Sequence, residues 1–208
     1  MIKELERENR LNKEEVDKLM RISGNVKGVV FQTHATFFRY KEGEKGIKMV
    51  EKRLRELGYP LEFNKIKPYT KWYPEALSIL VILVAREVFN WKDSDIFEMG
   101  NSAPKYSFIV KLLMKFFLSP LRSFKEGPNY WKKHYDFGIL DTHELNEKEK
   151  YLVIRLKEYK FHPIICIYFQ GYFQRIAQYV IKSEKFTTEE TKCMHRGDLY
   201  HEFVVHWQ

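Results

Sequence analysis

Hydrophobic and polar positions follow two rhythms in the last third of the chain. Between Glu149 and Lys160, Leu152, Ile154 and Leu156 alternate with Val153, Arg155 and Lys157, the period of two that marks a half-buried strand. From Pro163 the period lengthens: Ile164, Ile165, Tyr168, Phe169, Tyr172, Phe173, Ile176 and Val180 recur at three- and four-residue steps, with Gln170, Gln174 and Gln178 opposite. That spacing predicts an amphipathic helix with Pro163 in its first turn. Thr187 to His195 and Leu199 to Trp207 read as two further strands flanking Arg196-Gly197-Asp198, a loop with turn chemistry. Such a loop places Cys193 directly across from His201. Phe137 to Leu145 is expected to pair with the strand of residues 151–160 around Asn146-Glu147-Lys148.

The first half reads as helices. Asn12 followed three residues later by Glu15 is a capping signal, with Leu11 and Val16 placed as a staple. Gly28 to Gly58 fits two helices joined near Lys41 to Glu44 and closed by Gly58 ahead of Pro60. Trp72-Tyr73-Pro74-Glu75 opens an apolar helix running to about Phe89. Another begins near Ile96 and is broken or kinked by Gly100 to Pro104, and Phe108 to Leu118 forms one more before Pro120. Helices first and hairpins later predict an α+β fold, with N-terminal helices packed on a C-terminal antiparallel sheet and one long amphipathic helix inserted between the hairpins. The expected division is a helical extension over residues 1–25 and a single domain over 26–208.

Composition narrows the functional classes. At 208 residues, with 44% hydrophobic and 31% charged residues, the chain can bury a substantial core. Its net charge of +8 would favour polyanions. Lys and Arg are nevertheless interspersed with Glu, as between Lys45 and Glu56, so they predict solvated helix faces and nucleic acid is not an expected partner. Two cysteines make no secreted disulfide framework, and the charged start carries no leader pattern, so a cytoplasmic location is expected. The longest apolar run, Ala76 to Ala85, is too short to span a membrane. Phosphate-binding glycine loops, Gly-x-Ser-x-Gly and His-Glu-x-x-His are all absent from the sequence.

Three stretches resemble the 4-vinyl reductase domain superfamily: Lys27-Gly28-Val29-Val30-Phe31, Phe169-Gln170-Gly171-Tyr172-Phe173, and Cys193-x-x-x-Gly197-x-x-x-His201-x-Phe203. That grouping is distantly similar to haem nitric-oxide-binding domains and to vesicle-tethering transport-particle subunits. The resemblance spans roughly residues 26 to 207 and is strongest from 149 onward. It implies a sensor or carrier enclosing a small, mostly apolar molecule, with walls drawn from Phe31, Phe38, Trp72, Phe108, Phe169, Tyr172 and Phe173. Some phenol-sensing members hold a structural zinc with a helical Cys, a Glu-x-x-Cys and a further Cys after seven residues. The matching positions here are Cys166, Glu190, Cys193 and His201, with the helical Cys offset by about one position and His201 in place of a Cys. His195, expected on the same strand face as Cys193, is an alternative ligand. A buried thiol with a cross-strand polar pair accounts for the same residues without metal.

Haem is the weaker expectation, because the Tyr-x-Ser-x-Arg signature of the nitric-oxide sensors is missing and neither His34 nor His134 is singled out as its ligand. The transport-particle likeness makes a helix-mediated homodimer the alternative class. Catalysis needs a placed acid, base or nucleophile, and His162, Asp141 and His143 qualify only by titrating, so an enzyme is not the favoured reading.

Overall fold

A computed structural model of the protein describes residues 10–107 and 119–208, and the helix expected over Phe108 to Leu118 lies outside them. The chain divides between Ile96 and Phe97 into two compact units. Among the described residues, no helix is long and apolar enough to cross a membrane.

In the first unit, helix α1 (Lys13–Met20) begins where Asn12 accepts the Glu15 amide at 2.9 Å, satisfying an otherwise orphaned helix donor. Strand β1 (Asn25–Lys27) leads into helix α2 (Val29–Glu56), in which Gly43 is non-helical, at φ 68° and ψ −173°. The two helices expected on either side of Lys41 to Glu44 are both present and meet at a kink at Gly43, the residue that reaches this conformation without Cβ strain. Trp72, expected to open a helix, lies in strand β2 (Trp72–Pro74), which pairs antiparallel with β1. Pro74 then stands as N-cap of helix α3 (Glu75–Phe89), where Ile79, Leu80, Val81, Ile82 and Val84 are buried on all sides of the helix. A helix covered all round is a core element, and α1 and α2 pack on it. Arg53 ties the layers together: it bonds Glu87 of α3 at 3.0 Å and the Leu11 carbonyl at 3.1 Å, while the Leu11 amide donates to Glu87 at 3.2 Å.

Helix α4 (Asp93–Tyr106) contains the boundary between the units. It runs on through Gly100 with Pro104 inside it, so the break, one of the two outcomes expected there, does not occur, and the glycine serves packing. A Cβ at Gly100 would overlap the Tyr168 carbonyl group, 2.7 Å from its carbon.

The second unit is built on a four-stranded antiparallel sheet, in the order β3 (Ile139–Asn146), β4 (Tyr151–Lys157), β6 (Tyr200–Trp207), β5 (Phe186–Lys192). Helix α5 (Pro120–His134) starts at Ser119, which accepts the Arg122 amide at 3.2 Å, and packs on β3. Helix α6 (Ile164–Val180), inserted between the hairpins as its position in the sequence predicts, packs on β5 and β6. Alternation decides which residues meet it. Leu152, Ile154 and Leu156 of β4 pair with Val205, Phe203 and His201 of β6, and all six are buried. The opposite face carries Arg155 bonded to Glu202 at 2.6 Å and Lys192 bonded to Tyr200 at 2.8 Å, the polar side of a half-solvated sheet.

Candidate metal centre

Four side chains converge where the start of α6 meets the β5–β6 hairpin. Cys166 comes from the first turn of α6, Glu190 from β5, Cys193 from just beyond its end, and His201 from β6. Their ligand atoms all lie within 4.8 Å of one another. Cys166 Sγ is 3.8 Å from Cys193 Sγ and 3.6 Å from His201 Nδ1, which is itself 2.9 Å from Glu190 Oε1.

Glu190 and Cys193 share a face only through a local irregularity. Residues three apart on a regular strand point to opposite sides. Here Glu190 pairs with Phe203 and Lys192 with Glu202, so two steps along β5 match one step along β6. Thr191 is the extra residue of a bulge, and its hydroxyl donates to Glu202 on the outer face at 2.9 Å. The strand stops one residue later. His195, expected on a strand face shared with Cys193, lies instead in a 3-10 turn (Met194–Arg196) that follows. Its ring centroid is 5.6 Å from that of His201, and its Nε2 is buried without a hydrogen-bond partner.

The turn holds Cys193 in place. The Cys193 amide donates to Asp198 Oδ2 at 2.7 Å, and its carbonyl accepts from the Arg196 amide at 2.9 Å and the Asp198 amide at 3.2 Å. His201 Nε2 lies 2.9 Å from the Tyr159 carbonyl, which can only accept, so this nitrogen carries the proton and Nδ1 keeps a lone pair when the ring is neutral. Burial pushes the Cys166 thiol pKa well above its ordinary value, and the neighbouring Glu190 carboxylate adds to the rise. Burial also pushes Glu190 upward, but its polar contacts with His201, Cys166 and Cys193 together outweigh it and hold the carboxyl below its usual range. The cluster without metal therefore pairs a protonated thiol with a carboxylate.

The aromatic residues expected to wall a ligand chamber are distributed over both units. In the first, Phe31 packs on Tyr73 at 5.4 Å and Phe38 on Trp91 at 5.8 Å, while Trp72 is 41% exposed beneath Lys27. In the second, Phe169 packs on Tyr159 at 5.3 Å, Phe173 on Phe203 at 5.2 Å, and Tyr172 lies edge-on to Phe173. Phe108 lies outside the described residues.

No protein-family model matches the chain, and no curated protein matches it in sequence. Solved structures do. A triple mutant of an H-NOX protein from S. oneidensis in the Fe(II) ligation state is 13% identical with a TM-score of 0.66, the match covering 88% of this chain and 96% of that one. An unliganded Fe(II) H-NOX protein from K. algicida is 12% identical with a TM-score of 0.60, over 88% and 96% of the two chains. An oxygen-binding H-NOX domain related to soluble guanylate cyclases, in its oxygen complex, is 11% identical with a TM-score of 0.61, over 88% and 95%. At such identities the likeness establishes the fold, which is that of H-NOX domains. The resemblance to the 4-vinyl reductase superfamily is corrected accordingly: the architecture expected as a distant relation is the one the chain matches. The stretches that carried that resemblance, an apolar helix and a closing hairpin, are dictated by packing α6 on a sheet and do not separate one such architecture from another.

Solved structures of this kind include haem proteins, and a histidine that serves as axial ligand must turn a ring nitrogen to the iron. All seven histidines of the sequence are among the described residues. His34 bonds Ser78 Oγ at 3.3 Å and sits between the rings of Phe31 and Phe38, and His134 Nδ1 is 3.1 Å from the Tyr130 carbonyl. His143 contacts Arg155, His162 accepts the Ile164 amide, and His206 faces Glu189. His195 and His201 belong to the Cys/His cluster. Each ring thus has a contact on one of its nitrogens or a place in that cluster, and these contacts single out no one histidine as an axial ligand.

Proposed function

We propose that the chain is a small-molecule binding and sensing module on the H-NOX architecture, with a structural zinc at Cys166, Glu190, Cys193 and His201 in place of a haem iron as its metal. One observation carries the metal part of this reading: the separations of Cys166 from Cys193 and from His201. Zn–S bonds of about 2.3 Å at tetrahedral angles require S···S separations of about 3.8 Å, and S···N separations slightly shorter. The Cys166–Cys193 and Cys166–His201 separations of 3.8 and 3.6 Å have these values.

Two thiolates, an imidazole and a carboxylate suit zinc better than magnesium or calcium, which prefer all-oxygen shells. The Tyr159 carbonyl would orient His201 through its second nitrogen, as such ligands require. Zinc entry must displace the Cys166 proton, so binding would release acid. By joining α6 to both strands of the last hairpin, the metal would hold that edge of the sheet rigid. Small-molecule binding is carried over from the oxygen-binding domain of similar fold, and a sensing role with a small apolar molecule as ligand is the extension made here.

The test is elemental analysis of the full chain produced with zinc in the medium. One zinc per chain is expected, falling below about a tenth in Cys193→Ala, with chelation lowering the melting temperature of the parent but not of the variant. A parent protein that folds and holds no zinc would refute the metal centre. Native mass spectrometry tests the ligand: a co-purifying apolar molecule supports the sensing role, and a protein that retains none across a panel of phenols and alkylbenzenes refutes it.

A further inference from the structure

The fourth ligand, Glu190, is the weak member of the cluster. Structural zinc sites are closed by Cys and His, and a carboxylate is the hardest and most easily exchanged donor among them. Its two oxygens are already committed in different directions. Oε1 lies on His201 Nδ1 at 2.9 Å, a contact that must be surrendered when that nitrogen takes a metal. Oε2 lies 3.6 Å from Arg196 Nη1, and Arg196 Nη2 also donates to the Glu190 carbonyl at 3.3 Å. A guanidinium therefore stands ready beside the carboxylate.

On the same turn, one residue before Arg196, is His195. Its Nε2 is buried and has no hydrogen-bond partner, which is unusual for a ring nitrogen shut away from water. Its ring is 5.6 Å from His201 between centroids, so the two imidazoles are direct neighbours. The turn that carries it begins at Cys193, and Gly197, at φ 101° with open space around it, is the joint about which that turn can adjust.

We infer that the fourth coordination position is shared: Glu190 fills it in one state and His195 in the other, with Arg196 taking the carboxylate when the imidazole binds. The exchange converts a two-thiolate, one-imidazole, one-carboxylate shell into a two-thiolate, two-imidazole shell. No covalent bond within the protein is broken and no electron moves. The Met194–Arg196 turn shifts with it, so the metal couples its own coordination to the shape of an exposed hairpin tip. This inference rests on the metal-centre reading above, and its failure can be told apart from the failure of that reading.

The experiment uses cobalt(II) in the full-length chain, because its visible bands report the donor set, alongside zinc affinity from competition with a chromogenic chelator. Glu190→Ala and His195→Ala are each expected to keep one metal per chain with affinity reduced no more than about tenfold, and Glu190→Ala to shift the cobalt bands toward a two-nitrogen shell. The double variant is expected to lose at least about a hundredfold, beyond the product of the singles. Circular dichroism on each protein establishes that it folds. A Glu190→Ala variant that folds but loses metal outright, or a double variant no weaker than Glu190→Ala alone, overturns the exchange while leaving the zinc site standing. A parent chain that binds neither cobalt nor zinc overturns both.

Discussion

Replacing Gly171 by alanine should destabilise the second unit even though alanine is the better helix former. A Cβ at this position would overlap the Phe97 carbonyl oxygen and lie 2.8 Å from the Asn101 amide nitrogen, both backbone atoms of α4 that no rotamer change can move. Ordinary van der Waals contact begins at 3.4 Å, so α4 and α6 must part along their crossing. Parting them stretches two bonded contacts. Asn101 Nδ2 donates to the Gly171 carbonyl at 3.1 Å, and Arg175 Nε donates to Asn101 Oδ1 at 3.1 Å. Overpacking of this kind costs about 1–3 kcal/mol, and each weakened hydrogen bond adds about 1 kcal/mol. The gain in helix propensity returns only about 1 kcal/mol. The net expectation is a loss of about 2–4 kcal/mol, read as a fall in the urea midpoint at unchanged slope. Gly100→Ala, which meets the Tyr168 carbonyl in the same way, should behave alike. A Gly171→Ala protein as stable as the parent would show that the two helices do not cross backbone to backbone.

Two further perturbations concern the first unit. Burial lowers the His34 pKa from an ordinary 6.5 to about 3, so the unfolded chain takes up this proton first. The contribution is complete above the unfolded value and is lost as the pH falls toward the folded one, at up to about 1.4 kcal/mol per pH unit. Denaturation at about pH 7 and about pH 5 should therefore show a drop that His34→Gln reduces, and an equal drop in both proteins would contradict it. Arg53→Met leaves Glu87 partly buried without its cation and should cost about 2–3 kcal/mol, with Glu87→Leu in the same chain recovering part of the loss. If the single variant matches the parent in thermal unfolding, the Arg53 link contributes nothing.

Much of this architecture could be read from the chain because its packing is periodic. The alternation of Leu152, Ile154 and Leu156, and the stripe from Ile164 to Phe173, state which face is covered, and these positions are buried as that pattern requires except Tyr172, which is half-buried. The Asn12 cap was equally legible, being a local bond between neighbours. Gly100 was ambiguous for a physical reason: a glycine that breaks or kinks a helix and one that lets two helices touch look alike until the partner, Tyr168, is in place. Trp72 misled similarly, since a three-residue strand gains its identity from β1, far away in sequence. At the cluster, likeness to a family pointed to the four residues but could not supply their geometry. A bulge has no letter of its own, and the buried nitrogen of His195 follows from a turn where a strand was expected.

The bulge at Thr191 makes the cluster a question of parity rather than of spacing. With the extra residue present, Glu190 and Cys193 face inward together at an odd interval. A chain lacking Thr191 would reach the same facing at an even interval on an unbulged strand. Sites of this design can thus survive a one-residue deletion that outwardly destroys their motif, while a straightened strand bearing all four letters would turn one of them out to water.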